Sequence, residues 1–78
     1  MANKFLRDTI LEVIENQIRE NKPAVVRETL ERLMRSGQTR DEAMRLIGSA
    51  LIEEISAVLN SQQPYDEARY RMALEKLR

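Results

Sequence analysis

Apolar positions along this chain recur at helical spacing in four blocks, and none alternates with the period of two that a half-buried strand requires. In the first block, from about residue 4 to 20, Leu6, Ile10, Val13, Ile14 and Ile18 share one stripe, with Leu11 beside them. Asp8, Glu12, Glu15 and Arg19 lie on the other side. Two polar residues, Arg7 and Gln17, fall inside the apolar arc, where either can snorkel at its margin. Asn3 is the expected N-cap. Asn21-Lys22-Pro23 breaks the pattern, and Pro23 suits the first turn of a second helix over about 23–35. There Val26, Leu30 and Leu33 face inward, with Met34 beside them, and Gly37 supplies the left-handed residue that closes the helix.

The third block, about 40–60, is the most apolar. At 100° per residue, Leu46, Ala57, Ala50, Ala43, Ile47, Val58, Leu51, Met44, Ile55, Leu59 and Ile52 cover most of its circumference. Arg45, Ser56, Ser49, Glu42 and Glu53 form the one continuous polar strip. Thr39 with Glu42 three residues later predicts a capping box at its start. Gly48, inside the helix, costs about 1 kcal/mol against Ala, which a closely crossing backbone would explain. Asn60 to Pro64 reads as a polar loop. A fourth helix over about 65–77 places Tyr70, Ala73, Leu74 and Leu77 at i, i+3, i+4, i+7. Asp66 and Glu67 suit the positive end of its dipole, and Lys76 and Arg78 the negative end. The expected architecture is all-α: a compact four-helix domain spanning 1–78, with the third helix central and the other three wrapped around it.

Composition sharpens this picture. A chain of 78 residues buries only roughly 60–65% of its unfolded surface and commonly gains stability from a second subunit. With no Cys and no His, disulfides, thiolate metal sites and the usual neutral-pH general base are all missing. Thirteen basic and thirteen acidic residues cancel, so the chain exerts no net attraction on nucleic acid or an anionic bilayer. No apolar run approaches the ~18 residues of a membrane span, and the start lacks a secretory signal's apolar core. A cytoplasmic protein without cofactor or membrane partner is expected. Catalysis has little to stand on: no glycine-rich phosphate loop, no nucleophile elbow, and a Ser49 with no base near it in sequence.

Glu54 is the most informative single residue. It falls within the apolar arc of the third helix, between Ile47, Ala50 and Val58 on the wheel. A lone buried carboxylate is costly, so Glu54 is expected to pair with an Arg or Tyr, to edge a subunit interface, or to serve as a base or metal-binding oxygen. The paired reading is the commoner. Arg27, Arg32, Arg35, Arg40 and Arg45 straddle the turn between the second and third helices in a manner similar to a helix-turn-helix. Interleaved Glu28, Glu31, Asp41 and Glu42 would repel phosphates, and the third helix is too apolar for a groove, so nucleic-acid binding is not expected. Glu12, Glu15, Glu53 and Glu54 could supply the carboxylates of a di-iron bundle, but the Glu-x-x-His pairs are missing. Met34, Met44 and Met72 read as gap-fillers.

The runs ENQIRENKPAVVRETLERLMRSG, TRDEAMRLIGSALIEEI and YDEARYRMALEKL resemble a family of small, all-helical bacterial domains without an assigned function. The matching elements are Glu15-Asn16-Gln17, Arg32-Leu33, Gly37, Arg40 with Glu42-Ala43, and Ile47-Gly48-Ser49, in that order. The resemblance implies histidines at the positions held here by Arg7, Leu11, Asp41 and Arg45, whose two i, i+4 pairs on neighbouring helices would form a metal site, and again at Glu54. None of these is His, so the implied metal function does not carry over. The same resemblance implies that Arg7, Asp41 and Arg45 converge, either as a small anion site or as a salt bridge in place of a lost metal.

The expectation for function is a non-enzymatic protein-interaction module that self-associates as a homodimer or docks on a protein partner. An incompletely covered third helix motivates it, with Ile52, Ile55, Leu59 and Tyr70 as the candidate interface. The alternatives are a small-ligand or metal-binding domain with a degenerate site, and a nucleic-acid-binding domain.

Overall fold

A computed structural model describes residues 4–78 of the chain. Its elements are α1 (Lys4–Glu20), α2 (Ala24–Arg35), α3 (Arg40–Ser61) and α4 (Glu67–Glu75), with no strand among the described residues. The expected cap at Asn3 lies outside the described residues.

Each turn is written in local chemistry. α1 ends in a Schellman motif with Asn21 at φ 57°: the Asn21 N–H donates to Ile18 O and the Lys22 N–H to Gln17 O. α2 ends the same way on Gly37, at φ 109°, with Gln38 N–H donating to Leu33 O at 3.1 Å. A Cβ at φ 109° would be strained, so this is where glycine is required. α3 starts on the capping box: Glu42 N–H donates to Thr39 Oγ1 at 3.1 Å and Thr39 N–H to Glu42 Oε1 at 2.8 Å.

Four boundaries differ from those predicted. Pro23 is the N-cap of α2, in an extended conformation, rather than part of its first turn. α3 runs on to Ser61 and stops where Gln62 turns left-handed. α4 is shorter than 65–77 because Asp66 is its cap: the carboxylate accepts from the Ala68 and Arg69 N–H groups. At its other end the Arg32 guanidinium, reaching across from α2, takes the Leu74 and Leu77 carbonyls at 3.0 and 2.9 Å. Arg27 does the same for α1, donating to Ile18 O at 2.6 Å. Carbonyls at two helix C-termini thus each accept from a cation on a neighbouring helix, which suits the dipole.

α3 is the central element and packs against the other three, while α2 lies beside it and also touches both α1 and α4. Ala43, Met44, Ile47, Ala50 and Leu51 of α3 are buried against Ile10 and Ile14 of α1, Val26, Leu30 and Leu33 of α2, and Tyr70 and Leu74 of α4. Ile47 and Leu51 sit inside and Val58 is half-buried. Thr29, also in the core, satisfies its hydroxyl by donating to Val25 O at 2.7 Å. Full burial of each Leu, Ile or Val contributes about 1.5–3 kcal/mol.

α1 runs antiparallel to α3. Glu15 meets Arg40 near the start of α3, and Leu6 lies beside Ile52. α1 therefore covers α3 only as far as about Ile52, and the later turns of α3 extend past it. The face that carries Gly48 under α1 continues into water as Ile52, Ile55 and Leu59.

Candidate functional site

Glu54 is 3% exposed and fully partnered. Its carboxylate accepts from Arg69 Nε and Nη2, both at 2.7 Å, and from the Asp66 N–H at 2.9 Å. The bidentate guanidinium fixes geometry as well as charge. Arg69 is in turn held by Gln63 Oε1 and Pro64 O. The Arg69 hydrogen bonds hold the Glu54 carboxyl below its usual value of 4.5, with burial opposing and the Asp66 N–H assisting. Three donors fill three of the roughly four lone-pair positions of this carboxylate. It ties α4 and the loop before it to α3.

Arg7, Asp41 and Arg45 do come together, in a depression of about 190 Å³ that Asp8, Leu11 and Met44 complete. Glu54 takes no part in it. No ion pair within 4 Å joins Arg7 to Asp41 among the described residues; Arg7 Nε instead lies 4.0 Å from Asp8 Oδ1, both side chains more than half exposed. The salt-bridge reading of that trio therefore fails. Beside it, sharing Arg7, Leu11 and Arg45, lies a larger groove of about 330 Å³ between α1 and α3. Leu6, Ile10, Gly48, Ser49 and Ile52 also line it, and no carboxylate does so among the described residues.

Gly48 floors this groove, but not because a backbone crosses there. A Cβ at Gly48 would meet only side chains, Ile10 Cγ2 at 3.5 Å and Ile14 Cδ1 at 3.7 Å, which is ordinary contact.

Of the four candidate interface residues, Ile52, Ile55 and Leu59 are exposed at 47%, 38% and 72%. Tyr70 is a correction: it has no exposed surface. Its ring fills the core, Tyr65 packs edge-on to it at 6.4 Å, and its hydroxyl donates to Gln17 Oε1 at 3.1 Å. Burial pushes the Tyr70 phenol well above its usual value of 10. Sequence reasoning missed this role, although a polar Gln17 in the apolar arc of α1 was its trace.

The five arginines around the α2–α3 turn are mostly engaged inside the molecule. Arg27 and Arg32 cap helices, and Arg40 makes a bidentate pair with Glu15 at 2.7 and 2.9 Å. Among the described residues, no group of three or more His, Cys, Asp or Glu is arranged to hold a metal ion, and no helix is long and apolar enough to cross a membrane. Searches of protein-family models, of curated proteins and of solved structures each return no match to this chain.

Proposed function

We propose that this chain is a non-enzymatic interaction module of the cytoplasm that self-associates through the uncovered turns of α3. The observation that carries this reading is the row Ile52, Ile55 and Leu59, exposed together from the point where α1 gives out. Their i, i+3, i+7 spacing is that of a helix–helix seam. A two-fold pairing would set the same row against itself, the usual closed solution for a small homodimer. A formal charge of zero places no net repulsion between copies.

Nucleic-acid binding is the weaker reading, because Arg27, Arg32 and Arg40 already hold internal partners. Kinship with the small helical bacterial domains belongs to the same proposal and rests on Glu15-Asn16-Gln17, Gly37 and Ile47-Gly48-Ser49. Sedimentation equilibrium from low to high micromolar concentration tests self-association. The expected result is a mass rising to that of a dimer, and a monomer for Leu59→Glu with unchanged helicity. A wild-type chain that stays monomeric throughout would overturn it.

A further inference from the structure

We infer that the groove between α1 and α3 is a binding site for a small anionic amphiphile, a carboxylate carrying an unbranched aliphatic chain of medium length. Three features of the groove converge on that chemistry. Its floor and walls are apolar, from Leu6, Ile10, Leu11, Gly48 and Ile52, except for Ser49, whose hydroxyl donates to Leu46 O. Its charged lining among the described residues is two cations, Arg7 and Arg45; the nearby carboxylates of Asp8 and Asp41 line the adjoining depression instead. Its volume, about 330 Å³, is at the small end of the range for ligand pockets, roughly 300–1,000 Å³.

Both guanidiniums are available to an anion. Arg7 has only the long 4.0 Å contact with Asp8, and Arg45 makes no ion pair within 4 Å among the described residues. A guanidinium presents paired N–H donors that match a carboxylate. Gly48 is the second, independent observation. A helix-interior glycine costs about 1 kcal/mol against alanine, and here packing does not demand it, since a Cβ would fit against Ile10 and Ile14. With no side chain of its own, Gly48 adds only backbone to the groove lining, along which an aliphatic chain lies. The carboxylate then sits between Arg7 and Arg45, and the chain runs over Gly48 toward Ile52.

This site does not depend on self-association. Ile52 is common to both surfaces, so the test uses the Leu59→Glu chain as well as wild type. Decanoate, kept below its micelle concentration, is titrated into each and followed by amide chemical shifts, with decyltrimethylammonium and acetate as controls. The expected result is saturable shifts at Ile10, Gly48, Ser49 and Ile52 with decanoate, at least about tenfold weaker binding of decyltrimethylammonium, and none with acetate. The same tenfold loss is expected for Arg7→Gln/Arg45→Gln, whose exposed positions leave folding intact. Equal binding of the cationic amphiphile, shifts centred on Leu59 instead of Gly48, or no saturable shift would each overturn the site. Should the double variant unfold, the comparison of the two amphiphiles on wild type decides alone.

Discussion

The Tyr70 hydroxyl donates to Gln17 Oε1 at 3.1 Å, linking α4 to α1 across the core that α2 and α3 fill between them. Two helices with no backbone approach thereby share one polar contact. It also settles why a glutamine stands in the apolar stripe of α1.

Tyr70→Phe keeps the ring and removes the donor. Gln17 is half-buried and can turn toward water, so the cost is that of one hydrogen bond, about 1 kcal/mol. For a domain of this size that lowers Tm by roughly 4–8 °C. Tyr70→Ala would cost about 3–5 kcal/mol, enough to unfold a marginal domain. Thermal melts by circular dichroism check both.

Glu54→Gln breaks the buried ion pair. Because the Arg69 side chain is 33% exposed, water solvates its freed charge, and the loss is expected at about 2–3 kcal/mol, below or at the foot of the range for fully buried pairs. Urea denaturation at neutral pH measures it.

The same carboxylate gives the fold an acid limit. Its folded value lies below the ordinary 4.5, so its contribution is complete above that value and disappears as pH falls through the lower, folded one. Glu15, held down by the hydrogen bonds from Arg40, and Glu42, held down by the Thr39 N–H, act in the same direction. Stability should therefore drop below about pH 4.5, and Glu54→Gln should flatten this dependence without abolishing it. Urea midpoints measured down through the acid range decide the matter, and an undiminished slope in the variant would contradict it.

Gly48→Ala should stabilise the protein by up to about 1 kcal/mol, through helix propensity and a less free unfolded chain. The new methyl meets Ile10 Cγ2 and Ile14 Cδ1 at 3.5 and 3.7 Å, with no overlap to relieve. A fall in the urea midpoint would show that the two isoleucines cannot accept it.

Thr39→Ala removes half of a reciprocal cap and should cost about 1 kcal/mol. Glu42→Ala on top of it should add little, since the two side chains serve each other's backbone N–H. A double-mutant cycle reads the coupling directly.

The helices and most of their inward faces were legible because period and capping are local, although Leu6, Val13 and Met34 are exposed. Thr39 and Glu42, or Asn21 and Gly37, act within a few residues of themselves. The extent of α4 was not legible, because one end is set by Arg32, forty-two residues from Leu74 and on another helix. The stripe Tyr70, Ala73, Leu74, Leu77 told which side of α4 turns inward, but not how deep the tyrosine goes. A phenol suits an interface and a core equally, and only the position of Gln17 distinguishes them. Glu54 announced its need for a partner, while the identity of Arg69 depended on how the loop through Pro64 folds back. The groove was hidden for a different reason: its walls come from Leu6, Arg7, Arg45 and Ile52, which alternate between stripes on their own helices and meet only through the antiparallel offset of α1.

α4 is held at its first turn by Glu54 and at its last by Arg32, each from a different helix. A nine-residue segment is far too short to stay helical unaided, so its order is borrowed from both neighbours at once. Severing the chain ahead of Asp66 would strand Glu54, Arg32 and Gln17 together, leaving three helices each with a polar group that had counted on the missing tail. Proteolytic trimming of this region is thus expected to loosen the remaining bundle as a whole and not merely to shorten it.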